Sequence, residues 1–217
     1  MKLVVFDVDG TLIDSQHNIV AAVVDAWRAE GLPEPRPEVI RRNIGLPLLE
    51  AIAALIPEGG EALHLHLTEL YKQAFAANRR RLDYVEPLFP GALEALDALE
   101  SEACLLGIAT GKSRRGLEAV FERHQLAHRF ITVQTADDAL GKPNPDMLLK
   151  AMAETGAEAQ RTAMIGDTWF DMQMASAAKT RAIGVGWGYH EADELIKAGA
   201  VQVLREFSEV SGAVGDL

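Results

Sequence analysis

The chain begins with the stretch Met1-Lys2-Leu3-Val4-Val5-Phe6-Asp7-Val8-Asp9-Gly10-Thr11-Leu12-Ile13-Asp14. An almost continuously apolar run of β-branched and aromatic residues ends there in two carboxylates that one residue separates. Such a run is typical of a parallel strand that is buried on both faces. The residues that follow it are therefore predicted to lie at the carboxyl edge of a sheet, where open α/β folds bind ligands.

Asp7 and Asp9 lie two positions apart, so an extended backbone would point both carboxylates to the same side. Two like charges there are unfavourable unless a cation or phosphate chemistry uses them. The simplest interpretation of this Asp-x-Asp-Gly pattern is a turn without a function, because Asp and Gly are ordinary turn residues. An EF-hand loop beginning at Asp7 is excluded, because its sixth position, which must be Gly, is Leu12, and because a strand pattern precedes it.

The composition limits the classes of function. With 217 residues, 48% of them hydrophobic and 24% charged, the chain can bury a full globular core. The net charge of −11 argues against a nucleic-acid-binding surface and against binding to anionic membranes. The single cysteine, Cys104, excludes an internal disulfide and fits a reducing compartment. Neither a membrane-spanning stretch nor a signal peptide is visible, so we expect a cytoplasmic protein.

Helical and strand patterns divide the chain into two parts. Residues 16 to 82 show no strand pattern and predict helices at about 16–30, 36–43, 47–56 and 60–80. Beyond Pro90, apolar runs predict strands at Cys104–Ala109, Phe130–Val133, Ala163–Ile165, Ala182–Val185 and, more briefly, Val201–Leu204. Helical patterns occur at about 91–100, 114–124, 145–155, 169–178 and 191–198. This alternation predicts an α/β fold with a parallel sheet and right-handed crossovers.

The helical stretch interrupts the α/β pattern after its first strand. We predict a Rossmann-like parallel sheet core made of residues 1–15 and 83–217, with an all-helical cap domain, residues 16–82, inserted into it. The connections at Asp14–Gln16 and Leu82–Glu86 would be hinges. Two such crossings would allow the cap to open and close over the carboxyl edge of the sheet.

Three further segments place polar groups at strand ends or before a helix. They are Thr110-Gly111-Lys112-Ser113, Gly141-Lys142-Pro143-Asn144-Pro145-Asp146 and Gly166-Asp167-Thr168-Trp169-Phe170-Asp171. Strand ends of a parallel sheet face one edge, so these groups are expected to converge with Asp7 and Asp9. The stretch Gly107–Ser113 looks like a nucleotide-binding P-loop, but three residues separate its glycines where that motif has four. We therefore do not interpret it as a P-loop.

With these segments in hand, the chain resembles the haloacid dehalogenase-like hydrolase superfamily, and within it the phosphoglycolate phosphatase-like group with a helical cap. Four motifs carry the resemblance: Asp7-Val8-Asp9-Gly10-Thr11, Thr110-Gly111, Lys142 in Gly-Lys-Pro-x-Pro-Asp, and Gly166-Asp167 with Asp171. They follow one another in the family's order over nearly the whole chain. The predicted cap lies between the first and second motifs, as it does in the family.

The resemblance implies a Mg²⁺-dependent phosphatase. Asp7 would be the nucleophile that forms an aspartyl-phosphate, and Asp9 would be the general acid and base. The Thr110 hydroxyl and nearby backbone N–H groups, with Gly111 beside it, would bind the phosphoryl oxygens. Lys142 would neutralise their charge. The implied Mg²⁺ ligands are the side chains of Asp7 and Asp167, the backbone carbonyl of Asp9, and Asp171 either directly or through water.

Simpler interpretations of these residues stay open. Lys142 could be an exposed loop lysine, and Thr110 could be a turn residue. Asp167 and Asp171 could occupy the first turn of a helix, which favours acidic residues and is compatible with metal binding. In the predicted cap, Arg41-Arg42-Asn43-Ile44-Gly45-Leu46-Pro47 resembles the family's specificity loop. Arg41 or Arg42 would bind a substrate carboxylate there, although helix-end arginines are usually exposed.

The leading prediction is a phosphatase for a small phosphorylated metabolite, with 2-phosphoglycolate as the first candidate on the resemblance alone. A sugar phosphomutase of the same superfamily also has two aspartates in its first motif and stays an alternative, as does a non-catalytic binding protein. The resembled dehalogenases lack the second aspartate, so Asp9 argues against that activity. Both a monomer and a homodimer are compatible with the sequence.

Overall fold

Six parallel strands form one sheet in a computed structural model that describes residues 1–217. The strands are β1 (Leu3–Phe6), β2 (Leu105–Ala109), β3 (Phe130–Gln134), β4 (Thr162–Gly166), β5 (Arg181–Val185) and β6 (Gln202–Leu204). Their order in the sheet is β3-β2-β1-β4-β5-β6, which places β1 in the interior. The predicted α/β fold with a parallel sheet is confirmed.

Ten α-helices accompany the strands. They are α1 (Gln16–Ala29), α2 (Pro37–Arg41), α3 (Leu48–Leu55), α4 (Gly60–Asn78), α5 (Ala92–Ser101), α6 (Arg114–His124), α7 (Asp146–Thr155), α8 (Trp169–Ala177), α9 (Ala192–Lys197) and α10 (Val210–Val214). The sequence predicted the first nine within a few residues but not α10. That helix has five residues, too few for a periodic pattern, and it forms where Val210 and Val214 pack into the core of the sheet.

The first strand is buried on both faces, as its continuous apolar run predicts. Val4 and Phe6 belong to a hydrophobic cluster that also holds side chains of α5, α6 and α10. Leu3 and Val5 point the other way, into a second cluster with side chains of α7, α8 and α9. Helices therefore cover both faces of the sheet, and the carboxyl ends of the central strands are left as an accessible edge.

Helices α1 to α4 build a third hydrophobic cluster of their own. Its buried members include Trp27, Ile52 and Leu67, and none of its residues belongs to the two clusters of the sheet. The two chain segments that connect these helices with the sheet run side by side. The Asp14 N–H donates to the carbonyl of Pro87 at 2.9 Å, and Ile13 bridges Leu88. The boundaries of a separate cap domain at residues 16–82 stay a prediction.

The length and hydropathy of the helices show whether any of them could span a membrane. No helix of this fold combines the length and the apolar character that crossing a bilayer requires.

Candidate active site

The predicted strand ends meet at one place because the central strands are in register. Phe6 of β1 pairs with Ile108 of β2 on one side and with Ile165 of β4 on the other. Asp7 directly follows Phe6, Asp167 lies two positions beyond Ile165, and both are buried. The Asp7 N–H continues the ladder by donating to the carbonyl of Ile165 at 2.9 Å. The first motif and the fourth are therefore adjacent in space, although 160 positions separate their aspartates in the chain.

Three carboxylates and one ammonium group form the centre of the site. Asp7, Asp167 and Asp171 each place a carboxylate oxygen within 4.8 Å of the others. The Nζ atom of Lys142 lies 2.8 Å from Oδ1 of Asp7 and 2.6 Å from Oδ1 of Asp171. Lys142 is 0% exposed, which excludes the alternative that it is a solvated loop lysine.

The electrostatics of this centre favour a bound cation. Burial, the largest cause, and the charge of Asp171 raise the pKa of Asp7 from 3.8 to about 7, against the opposing charge of Lys142. Burial and the charges of Asp7 and Asp171 likewise raise the pKa of Asp167 well above its usual value. Burial opposes the ammonium charge of Lys142, but Asp171 and Asp7 outweigh it and raise the pKa of Lys142. A further positive charge would favour the ionised forms of Asp7 and Asp167.

The residues present fit a divalent metal ion. Three aspartates and one lysine sum to two negative charges when all are ionised. Oδ2 of Asp7 is buried and has no hydrogen-bond partner, so one ligand atom at the centre is left free. Carboxylate oxygens are the donors that hard divalent cations prefer. An acidic triad that can hold a divalent metal is thus present at the carboxyl edge of the sheet.

Neighbouring polar groups hold the other two aspartates in place. Asp167 accepts hydrogen bonds from the Thr11 hydroxyl and from the Tyr189 N–H, each at 2.9 Å. Oδ2 of Asp171 accepts from the hydroxyl of Thr168 at 2.6 Å and from its N–H at 3.0 Å, which completes a capping box at the start of α8. The helix-start interpretation of Asp171 and its placement in the triad both apply, because Oδ2 makes the capping contacts while Oδ1 faces Lys142.

A glycine permits the close approach of the first motif to the fourth. Gly10 has a φ of +87°, a conformation that favours glycine. A Cβ atom at this position would collide with the carboxylate of Asp167 and with the ring of Tyr189. The turn after β1 therefore requires the Gly of the Asp-x-Asp-Gly-Thr pattern.

The side chain of Asp9 lies outside the triad and belongs to a second buried ion cluster. Its Oδ1 accepts from the Ser15 hydroxyl at 2.5 Å and from Nζ of Lys112 at 2.7 Å. Oε1 of Glu86, which is also buried, lies 3.5 Å from the same Nζ atom. Burial opposes the charge on Lys112, but Asp9 and Glu86 outweigh it and raise the pKa of Lys112.

Lys112, Ser15 and Glu86 are site residues that sequence reasoning missed. Lys112 stands in the stretch that resembles a P-loop, and dismissing that motif left the lysine without a role. Glu86 and Ser15 belong to the two predicted hinge connections. The only feature of the sequence that pointed to these two residues is their place in the hinge connections, where the chain passes close to Asp9.

A cavity of ≈ 550 Å³ opens above the triad, between the edge of the sheet and helices α1 to α4. Asp7, Asp9, Thr110 and Gly111 line it from the sheet. Thr110 is buried, and its hydroxyl accepts from the N–H of Lys112 at 3.2 Å. A Cβ atom at Gly111 would lie 2.7 Å from the carbonyl oxygen of Gly45, so the predicted specificity loop approaches the sheet at this glycine.

Neither of the two candidate arginines, Arg41 and Arg42, lines the cavity in this structure. Arg41 is absent from the lining of the cavity, and its nearest acidic partner is Glu38, at 3.9 Å. Arg42 is exposed and pairs with Glu194 at 2.6 Å. Instead, the cap-side cations that line the cavity are Lys72, Arg79 and Arg80.

Comparisons with known proteins agree with this arrangement. The family model described as "Haloacid dehalogenase-like hydrolase" matches residues 4–185. A protein of Dickeya dadantii named "Probable phosphatase IndB" is 39% identical over 97% of this chain and 92% of its own length. A "Phosphoglycolate phosphatase" of Aliivibrio fischeri is 29% identical over 95% of this chain and 93% of its own length.

A solved structure shows the same fold. The crystal structure of a hydrolase from Pseudomonas syringae superposes with a TM-score of 0.87 at 29% identity, covering 100% of this chain and 99% of the other. The resemblance read from four short motifs therefore extends to sequence and fold along the full chain. This chain belongs to the haloacid dehalogenase-like hydrolase family.

Proposed function

We propose that this chain, a phosphoric monoester hydrolase of the haloacid dehalogenase-like family, is a Mg²⁺-dependent phosphatase for a small phosphorylated metabolite. The observation that carries the proposal is the buried triad of Asp7, Asp167 and Asp171 around Lys142, with Asp7 lining the cavity above it. Only Asp7 of the three faces the cavity. It is therefore the carboxylate that a bound phosphate ester would meet.

In the first step, a carboxylate oxygen of Asp7 attacks phosphorus and the bond between phosphorus and the ester oxygen breaks. Asp9, in its protonated form, gives its proton to the leaving oxygen, so the alcohol departs neutral and the phosphoryl group stays on Asp7. Ser15 and Lys112 both donate to Oδ1 of Asp9, which leaves Oδ2 to exchange the proton.

In the second step, Asp9 takes a proton from a water molecule that attacks the same phosphorus. The bond between phosphorus and Asp7 breaks, inorganic phosphate leaves, and both aspartates return to their starting state. Thr110 would bind a phosphoryl oxygen through its hydroxyl, and Lys142 would offset the negative charge that gathers around phosphorus. Mg²⁺, held by Asp7, Asp167, Asp171 and the backbone carbonyl of Asp9, would supply further charge stabilisation.

Two kinds of support bear on the substrate. Relatives named phosphoglycolate phosphatase cover nearly the whole chain, so 2-phosphoglycolate is the first compound to assay. The cavity at the triad has the volume that small-molecule sites occupy. The proposed substrates are therefore phosphate monoesters of metabolites rather than phosphorylated macromolecules.

The test is phosphate release from a panel of phosphorylated metabolites with Mg²⁺, using Asp7→Asn and the control Asp193→Asn. Asp193 is an exposed carboxylate that lies outside both the triad and the lining of the cavity. We expect Asp7→Asn to lower kcat by at least about 10⁴-fold while Asp193→Asn keeps it within about twofold. The melting temperature of Asp7→Asn should stay the same or rise, because a buried like charge is removed.

Other outcomes point to other functions. Activity of Asp7→Asn close to that of the unmodified protein would show that the nucleophile is misassigned. Sugar-phosphate isomerisation without phosphate release would favour a phosphomutase. Binding of esters without turnover of any kind would favour a non-catalytic binding protein.

A further inference from the structure

The cavity above the triad is much larger than a two-carbon acid requires. Its volume of ≈ 550 Å³ falls in the range that holds ligands of drug size. Of its 30 lining residues, 14 are hydrophobic, and most of these come from helices α1, α3 and α4 and the loop before α3. Apolar walls of this extent favour a ligand that removes apolar surface from water.

The aromatic residues of α4 shape one wall of the cavity. Tyr71 and Phe75 lie one helical turn apart, with ring centroids separated by 5.7 Å and planes tilted by 32°. Nζ of Lys112 lies 5.6 Å from the centroid of Phe75, so this wall begins next to the ion cluster of Asp9. A ring on the organic part of a phosphate ester would reach these side chains while its phosphate lies at Asp7.

The charges along the cavity restrict the organic part further. The lining residues that α1 to α4 and their loops contribute include three cations, Lys72, Arg79 and Arg80, and no carboxylate. A positively charged organic part would therefore find no partner on that side. Near the phosphate end, Lys112 is already paired with Asp9 and Glu86, which leaves it unavailable to a short carboxylate such as that of glycolate.

We infer that the substrate of this site is a phosphate monoester whose organic part carries an apolar ring system larger than glycolate and no positive charge. This inference rests on the proposed phosphatase activity and specifies its substrate class. The phosphate lies at Asp7, and the ring packs against Tyr71 and Phe75 of α4 and Leu55 of α3, which line the same cavity.

The experiment compares two synthetic esters with similar leaving oxygens: 2-(1-naphthyl)ethyl phosphate and ethyl phosphate. Their chemical reactivity is matched, so the ratio of their kcat/KM values measures binding of the ring. We expect the naphthylethyl ester to be favoured by at least about 30-fold, as burial of a large apolar group predicts. A ratio near one, with both esters hydrolysed, would overturn the inference while leaving the phosphatase proposal intact.

Variants locate the effect within the cavity. Phe75→Ala and Leu55→Ala should each reduce the ratio by about fivefold to tenfold, because each removes apolar contact with the ring. A variant that also perturbs folding or the position of Lys112 changes kcat/KM for both esters alike, so that effect cancels in the ratio. Leu65→Ala on the exposed side of α4 is the matched control and should leave the ratio unchanged. Unchanged ratios in both cavity variants would contradict the placement of the ring.

If the protein hydrolyses neither ester, that result counts against the phosphatase proposal, and a binding measurement then tests the inference about the ring. Calorimetric titration of the unmodified protein with the two esters then decides it. Binding of the naphthylethyl ester at least about tenfold tighter than that of ethyl phosphate supports the ring-binding cavity. Equal affinities overturn it.

Discussion

Two buried lysines lie beside the two aspartates of the proposed reaction. Lys142 lies between Asp7 and Asp171, below the point where phosphorus would bind, and is fully buried. The side chain of Lys112 is 8% exposed and lies between Asp9, the proposed acid and base, and Glu86. A buried ammonium group is costly unless carboxylates pair with it, and here each lysine has two. Each ion cluster is therefore expected to be sensitive to loss of its lysine.

Lys112→Met should weaken both stability and catalysis. It leaves Asp9 and Glu86 buried without their shared cation, so the free energy of unfolding should fall by about 3 kcal/mol. Because Asp9 loses a hydrogen bond that orients it, kcat should fall by about 10²-fold. Chemical denaturation and steady-state kinetics on the same samples measure the two effects.

Two further variants give the controls for Lys112→Met. Lys150→Met removes an exposed lysine that pairs with Asp146 at 3.0 Å and should change neither quantity measurably. The double variant Lys112→Met/Glu86→Gln removes the unpaired carboxylate and should recover part of the stability but not kcat. A fully active Lys112→Met protein would mean that Lys112 does not position Asp9.

At the scale of elements, one histidine joins the start of α8 to the segment that follows α2. The N–H of Trp169, the first residue of α8, donates to Nδ1 of His190 at 3.2 Å. Nε2 of His190 lies 3.2 Å from the carbonyl oxygen of Arg42. The two contacts require a neutral ring that accepts at Nδ1 and donates from Nε2. Burial lowers the pKa of His190, and the contact with the Arg42 carbonyl and the charges of Glu194 and Asp171 oppose that shift while Arg42 adds to it.

The stability of the protein should therefore depend on pH through His190. Its folded-state pKa lies below the ordinary 6.5, so its contribution is fully present above pH 6.5 and is lost as the pH falls below that value. We expect the unmodified protein to lose about 1 kcal/mol more stability between pH 7.5 and 5.5 than His190→Gln, which keeps polar atoms but does not titrate. Urea denaturation at the two pH values measures the difference. The exposed His128→Gln is the control, and a pH dependence equal in all three proteins would rule out His190 as its source.

For the whole molecule, the arrangement of hydrophobic clusters explains how a substrate cavity arises. Two clusters cover the faces of the sheet, and a third lies within α1 to α4. The cavity occupies the gap between these bodies, and two adjacent chain segments cross between them. We propose that residues 16–82 form a cap that moves on those segments, since two crossings restrain its motion to opening and closing over Asp7.

Metal binding should stabilise the whole fold. The buried triad brings three carboxylates close together, and a divalent cation would relieve the repulsion between their charges. Mg²⁺ at 100 times its dissociation constant should add about 2.7 kcal/mol to the free energy of unfolding, which is about 5–10 °C in Tm. Differential scanning calorimetry with Mg²⁺ and with a chelator measures this shift.

Variants show whether the stabilising ion sits at the triad. Asp171→Asn should largely lose the Mg²⁺-dependent shift, and the exposed Asp193→Asn should keep it. An equal shift in Asp171→Asn would place the stabilising ion at another site.

Local patterns in the sequence were enough to predict the first strand and the convergence of polar groups at the strand ends. The apolar run before Asp7 predicted a strand buried on both faces, and β1 has its side chains in two separate clusters. The groups at the strand ends could be expected to converge because all parallel strands end at one edge. The positions of Lys142, Asp167 and Asp171 after a strand or before a helix predicted this convergence, and the family resemblance singled these residues out. Each of these signals lies within a few residues of chain, where backbone preference and hydrophobic periodicity act.

Only the tertiary structure decided the surroundings of that centre. The ion pair between Lys112 and Asp9 joins residues 103 positions apart, and no local preference brings them together. Arg41 and Arg79 are equally cationic in the sequence, yet only Arg79 lines the cavity. The orientation of a helix is set by which of its faces packs, and that depends on the summed contacts of distant elements. The acidic centre of the candidate site could thus be anticipated from the order of residues, whereas the shape and charge of the cavity above it required the packed fold.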